Sequence, residues 1–251
     1  MVVKSGEGRY YVEQQGAGWP VVVFEAGMGE DHATWQDVQS DIARMTSTLT
    51  YDRAGLGQSA ASGSPRTADQ LAKELHTLLL TLKLTGPFIL VGHSLGGYII
   101  TMFAHLFPDD TAGLVYVDSG FDEQRLKQAV TEEQWAAREQ TLKKFVPAFS
   151  PGQQLEKDSA DQSSIQAREA QPLPNVPAVI LSGTLINADF PVSDVEREVK
   201  LQTHREIVAI LPQAEQVIVP EARHYLQNET PAVVVEAVRR VIAKVRNSDS
   251  E

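Results

Sequence analysis

The sequence predicts an α/β protein: a mostly parallel sheet covered on both faces by helices, with a helical lid inserted before its last two strands. Three observations predict it. An apolar run at 88–93 enters Gly92-His93-Ser94-Leu95-Gly96-Gly97, and an amphipathic stretch at 98–107 leaves it. Short β-branched runs at 20–25, 48–51, 113–117 and 178–182 read as strands, those at 113–117 and 178–182 as buried ones. Helix-period segments fall between them, as the right-handed crossovers of a parallel sheet require.

The elements follow in order. Residues 9–15 alternate as a half-buried strand, and Gln15-Gly16-Ala17-Gly18 forms the turn after it. The 20–25 run ends in Ala26-Gly27-Met28-Gly29, where glycines let the backbone pass close to another group. Trp35, Val38, Ile42 and Met45 share one face of a helix. The strand at 48–51 runs into a polar turn, Asp52-Arg53-Ala54-Gly55-Leu56-Gly57. Leu71, Leu75, Leu78, Leu79 and Leu82 stripe a helix over 67–84, capped by Thr67 and ended by Gly86-Pro87. The 113–117 strand reaches Asp118-Ser119-Gly120. Over 121–177 charges and glutamines are dense and no buried strand appears, so this segment is expected to form a helical lid within a single domain spanning 1–251. A strand at 178–182, a helix at 193–211, a strand at 214–219 and a helix at 230–245 complete the chain.

Composition narrows the function. The 251 residues suit one large α/β domain. There is no cysteine, which excludes disulfides, zinc–thiolate sites and a thiol nucleophile. With 22 basic and 33 acidic residues the formal charge is −11, a field that opposes nucleic acid and stable association with anionic membranes. No run approaches a membrane span, and the polar start is too short for a signal peptide, so a cytoplasmic location is expected. No run of histidines and carboxylates has metal-ligand spacing, so neither a metal nor another cofactor is expected.

In parallel sheets ligands bind beyond the carboxyl ends of the strands. Met28, Asp52, Ser94, Asp118 and the residues after Leu181 collect there. The strand-to-helix elbow lifts Ser94 above the sheet edge, and a Cβ at Gly92 or Gly96 would crowd the turn. A serine hydroxyl needs an adjacent base. Six histidines compete for that role. His93 abuts Ser94 and its side chain is directed away, while His76 and His105 lie within helices and His204 on a polar one. His32 follows the 20–25 strand, where it could line a pocket. His224 sits in the loop between the last strand and the last helix.

These pieces resemble the α/β-hydrolase superfamily, of the serine-esterase type with a small helical cap. The resemblance rests on the elbow at Ser94, the Glu25-Ala26-Gly27-Met28-Gly29 turn, Tyr51-Asp52-Arg53-Ala54-Gly55-Leu56-Gly57-Gln58-Ser59, and Ala222-Arg223-His224, in family order over about 21–245. It implies the α/β-hydrolase fold, Ser94 as nucleophile, His224 as base, and the backbone amides of Met28 and Leu95 as the oxyanion hole. Many relatives carry a His-Gly pair where this chain has Ala26-Gly27. Two carboxylates compete to orient His224. Asp118 ends the strand after the nucleophile and is the expected acid. Asp189 is the runner-up, because most relatives draw the acid from that region, but the usual Gly-to-Asp spacing is not kept after Gly183. Asp52 and Arg53 are expected to form a buried network beneath the site. The expected substrate contacts are Gly27, His93, Trp135, Phe149, Phe190 and Tyr225, with Phe121 and Phe145 as further lid aromatics.

The implied activity is hydrolysis of small to medium uncharged carboxylic esters through an acyl-enzyme, without a cofactor. A lactonase, an aminopeptidase or a carbon–carbon bond hydrolase would use the same residues, and a ligand receptor could keep the fold without turnover. Because residue 94 is Ser rather than Asp, the alkyl-enzyme route of haloalkane dehalogenases and epoxide hydrolases is not expected.

Overall fold

The apolar runs become the middle of one sheet. The computed structural model describes residues 1–120, 122–145, 149–186 and 191–248. Among them are eight strands: β1 (Val2–Ser5), β2 (Gly8–Gln15), β3 (Val22–Glu25), β4 (Thr48–Tyr51), β5 (Phe88–His93), β6 (Thr111–Val117), β7 (Ala178–Gly183) and β8 (Ala214–Val219). Their order across the sheet is β1-β2-β4-β3-β5-β6-β7-β8. The β1–β2 and β2–β4 pairs are antiparallel and the other pairs parallel. Strand β1 adds an antiparallel edge that the short, polar start of the sequence did not announce.

Strands β3 to β7 in the centre are buried along their whole length. Successive side chains of a strand face opposite ways, so Phe88 and Leu90 join one core while Ile89 and Val91 join the other. The first core is closed by α2 (Ala68–Thr81), α3 (Leu95–Leu106) and α8 (Ser193–Ile210). The second is closed by α1 (Gln36–Ile42) and α10 (Pro231–Ser248), with the short α9 (Leu226–Glu229) leading into α10. Helix α10 buries Val234, Ala237, Val238, Val241, Ile242 and Val245 at helical spacing. Each of its larger apolar side chains contributes about 1.5–3 kcal/mol.

Among the described residues four helices stand between β6 and β7: α4 (Glu123–Ala129), α5 (Glu132–Phe145), α6 (Pro151–Asp158) and α7 (Ala160–Glu169). Each is tied to the body of the fold, α4 and α5 through Arg125–Glu206 and Arg138–Glu196 on α8, and α6 through Glu156–Arg53, and α7 meets the start of α2. Thr67 makes no side-chain cap for α2, contrary to expectation. Instead Ser163 Oγ and Gln166 Oε1 of α7 accept the first amides of α2, from Ala68 at 3.0 Å and Asp69 at 3.1 Å. Those amides have no acceptor within their own helix, so an outside side chain serves as well as a local cap. Among the described residues no helix is long and apolar enough to cross a membrane.

Candidate active site

Ser94 stands between β5 and α3 with φ +50° and ψ −116°, a conformation that costs a non-glycine residue energy. Its surroundings impose it. The Ser94 amide donates to Val117 O at 3.3 Å, and its carbonyl accepts the amides of Gly97 and Gly120 at 2.9 Å each. A Cβ on Gly92 would lie 2.5 Å from the Gly96 carbonyl oxygen, and one on Gly96 would lie 2.3 Å from that of Glu25. Only glycine at both positions lets β3, β5 and α3 approach so closely.

A chain of hydrogen bonds runs from this serine. Ser94 Oγ is 3.1 Å from His224 Nε2, and His224 Nδ1 is 2.8 Å from Asp118 Oδ2. The three residues come from the ends of β5 and β6 and from the loop after β8, brought side by side by the parallel register. Of the two carboxylates weighed for His224, Asp118 makes the contact, and Asp189 lies outside the described residues. Asp118 is itself in an unusual conformation, φ +43°, and fully buried. Its Oδ1 accepts the Gly183 amide at 2.8 Å, and its Oδ2 also meets Lys200 Nζ at 2.8 Å. Burial works to raise its carboxyl, but the His224 hydrogen bond and the Lys200 ammonium outweigh it and hold the group down to about 2. His224 then donates from Nδ1 and presents Nε2 as acceptor to the serine hydroxyl. Such an arrangement can take a proton from an attacking hydroxyl and stabilise the resulting imidazolium.

The loop after β3 faces this chain. Leu95 opens α3, so its amide is among those without an acceptor inside the helix. Met28 sits between two pinned neighbours. The Gly27 carbonyl accepts Arg53 Nη2 at 2.6 Å, and the Gly29 amide donates to Glu156 at 2.8 Å. Arg53 is buried and also binds Glu25 and the Ala26 carbonyl, so it forms a network beneath the site, as the structural reading of Asp52-Arg53 expects. Gly27 is buried, and its amide donates to Glu30 at 2.7 Å.

His93 departs from its expected place among substrate contacts. Its side chain is only 1% exposed, with Nδ1 2.9 Å from Glu30 and Nε2 3.0 Å from the His224 carbonyl oxygen. Burial works to raise the Glu30 carboxyl, but His93 and the Gly27 amide hold it below its ordinary value. The pair ties the loop after β3 to the loop that carries His224.

The comparisons with known proteins agree with this frame. The model of the alpha/beta hydrolase family matches residues 21–237. The chain belongs to that family. The uncharacterized protein YqjL of Bacillus subtilis is 39% identical over 105 residues, which cover 42% of this chain and 42% of that protein. An AB hydrolase superfamily protein of Gibberella zeae is 36% identical over 104 residues, covering 40% of this chain and 32% of its own. The chain therefore spans less than half the length of these relatives. In fold, a thermophilic esterase from Thermogutta terrifontis aligns with a TM-score of 0.71 at 23% identity, covering 98% of this chain and 99% of that one. The enol-lactonase from Burkholderia xenovorans LB400 aligns with a TM-score of 0.72 at 21% identity, covering 97% and 100%.

In this α/β-hydrolase the remaining expected contacts scatter. Tyr225 is 48% exposed, its ring 5.3 Å from those of both His93 and His224. Trp135 is half-buried in the α4–α7 segment, with Lys127 Nζ 5.7 Å and the Arg138 guanidinium 5.2 Å from its ring. Phe149 lies under Lys157 at 5.2 Å. Phe190 and Phe121 lie outside the described residues. A cavity of about 210 Å³ opens instead between α3, α7 and α8, with Tyr98, Tyr116, Gly120, Leu173, Ile207 and Ile210 in its wall. It adjoins the turn of Ser94 through Gly120, whose amide holds the Ser94 carbonyl. Sequence pattern missed it because its wall is drawn from four separate segments.

Two histidines also differ from their sequence reading. His32 does not line the pocket: its Nδ1 is 2.7 Å from Asp52 Oδ1, and its ring packs 4.6 Å from that of Tyr11. Asp31, His32 and Asp52 bring ligand-type atoms within 4.8 Å of one another. All are already used: Asp52 accepts the amides of His32 and Gln58, and Asp31 caps Ala33. His204, on a polar helix, is completely buried beneath Asp118.

Proposed function

We propose that the protein is a cofactor-free serine hydrolase, a carboxylesterase of small to medium uncharged esters. The observation that carries this reading is the Ser94–His224–Asp118 chain, at 3.1 and 2.8 Å, on a strained elbow at the strand ends. Ser94 attacks the ester carbonyl as His224 takes its proton, and Asp118 stabilises the imidazolium. The amides of Met28 and Leu95 hold the oxyanion, and His224 returns the proton to the departing alcohol. Water activated by His224 then releases the acid from Ser94. The cavity wall joins Tyr98, Leu173 and Ile207 to two ion pairs, Arg125–Glu206 and Arg168–Asp122, and its apolar part suits an uncharged acyl chain. The segment 121–177 acts as its lid. Solved proteins of this fold described as an esterase and an enol-lactonase make lactones the next class to assay.

A fluorophosphonate probe tests the reading. One label is expected, mapped to Ser94, together with steady multiple turnover of p-nitrophenyl esters. Labelling that survives Ser94→Ala would sink it, and a single turnover without release would point to a receptor. Parallel assays of lactones and amino-acid amides decide the substrate class.

A further inference from the structure

The Asp118 carboxylate is shared between two cations-to-be. Oδ2 receives His224 Nδ1 and Lys200 Nζ at 2.8 Å each, while Oδ1 is held by the Gly183 amide. Lys200 comes from the second turn of α8 and is 12% exposed, and Asp118 is its ion-pair partner among the described residues. A carboxylate standing alone behind an imidazole favours the protonated ring. A second cation on the same oxygen cancels part of that field and also repels a charged ring directly.

We propose that Lys200 is a positioning residue of the Ser94–His224–Asp118 chain, and that its charge on Asp118 Oδ2 extends the reactivity of Ser94 to lower pH. This rests on the catalytic reading above. The other charged and titratable groups around the pair do not substitute for it. His204, from α8, faces Asp118 with its Nε2 on the Ser119 carbonyl and its Nδ1 on the Ser182 hydroxyl, a pairing that a neutral ring satisfies. Glu30 faces His224 from the loop after β3, but its charge is met by His93 of β5. Tyr225 touches the His224 ring and carries no charge as a phenol. Lys200 is thus the group whose removal changes the charge at Asp118 Oδ2.

The test is the second-order rate of phosphonylation by a fluorophosphonate, followed against pH, which requires no knowledge of the substrate. In Lys200→Met and Lys200→Gln the acidic limb of the profile should move up by about 1 pH unit. Lys200→Arg, which keeps the cation, should restore the wild-type limb. An acidic limb that stays in place in folded Lys200→Met or Lys200→Gln overturns the proposal. So does loss of folding in both, which would make Lys200 a structural counter-ion. Asp118→Asn, measured beside them, separates this from the reading it rests on. A wild-type protein that is never labelled, or an Asp118→Asn protein labelled at the normal rate, refutes the catalytic chain itself. An impaired Asp118→Asn with unmoved Lys200 variants refutes Lys200 alone.

Discussion

Glu156 on α6 and Arg53 after β4 form a two-pronged ion pair sealed from solvent, Nε to Oε1 at 2.7 Å and Nη2 to Oε2 at 2.9 Å. The same Glu156 accepts the Gly29 amide, and the same Arg53 holds the Ala26 and Gly27 carbonyls. A helix of the α4–α7 segment therefore grips the loop around Met28 from one side while the sheet grips it from the other. Arg53 faces a second carboxylate, Glu25, whose carboxyl is pushed up by burial in spite of the guanidinium and the Tyr51 hydroxyl beside it.

Removing one partner of such a buried pair strands the other, at about 3–5 kcal/mol. Glu156→Ala should lower the unfolding free energy by roughly 3 kcal/mol in urea titrations. Glu156→Gln keeps the shape and part of the hydrogen bonding, so the fold should survive. Its turnover number should fall about 10-fold or more with little change in KM, because misplaced oxyanion donors act only in the transition state. An unchanged turnover number in folded Glu156→Gln would mean that α6 does not position the Met28 loop.

Asp118→Asn should cripple turnover while leaving the fold intact. The amide can present a donor to His224 and favour the wrong tautomer, a defect worth about 10⁴-fold in turnover in a well-studied serine protease. Rates compared at equal folded fraction with Asp189→Asn decide between the two carboxylates. A near-wild-type Asp118→Asn enzyme beside a dead Asp189→Asn would transfer the role.

The elbow was legible because its signal is local. Gly92, Ser94 and Gly96 lie within five residues, and the clash that a Cβ would cause involves the adjoining strand and helix. His224 was legible by position, standing after the last strand. The partner of His224 was legible down to two carboxylates: Asp118, expected from the end of the strand after Ser94, makes the contact across 106 residues, but a sequence alone does not show which strand-end loop closes on the ring. The anchoring of the α4–α7 segment was also hidden. Helices α6 and α7 look polar throughout, yet Glu156 and Ser163 are buried by bonds to Arg53 and to the start of α2. Polar pattern predicts exposure only when no distant partner desolvates the group. Lys200 and His204 on α8 are further cases.

The same contrast bears on chain-length preference. The aromatics of the α4–α7 segment drew attention by type, but Trp135 packs against Lys127 and Arg138, whereas Ile207 lines the cavity beside the turn of Ser94. Ile207→Trp should fill much of that space and shift preference among p-nitrophenyl esters from octanoate toward acetate by about 10-fold or more. Trp135→Ala should leave the ratio unchanged. The reverse pattern would put the acyl chain under α5 instead.

His204 makes stability depend on pH. Burial drives its imidazole down from 6.5 to about 4, against the pull of Asp118 and the Ser119 carbonyl. An unfolded chain has no such burial, so between those two values it binds a proton that the native state refuses. Stability must then rise with pH across this window, and be lost as pH falls from above 6.5 toward 4. At about 1.4 kcal/mol per unit of displacement the loss is on the order of a few kcal/mol. Asp118 does not contribute there, because its depressed carboxyl keeps its stabilising effect until the pH falls below the ordinary aspartate range. Urea unfolding of the wild type at neutral pH and near pH 5 should show the drop. His204→Gln should begin less stable at neutral pH, having disturbed the Ser182 and Ser119 bonds, but it should lose much less between the two conditions. If its stability falls as steeply as the wild type's, the proton taken up on unfolding belongs to another group.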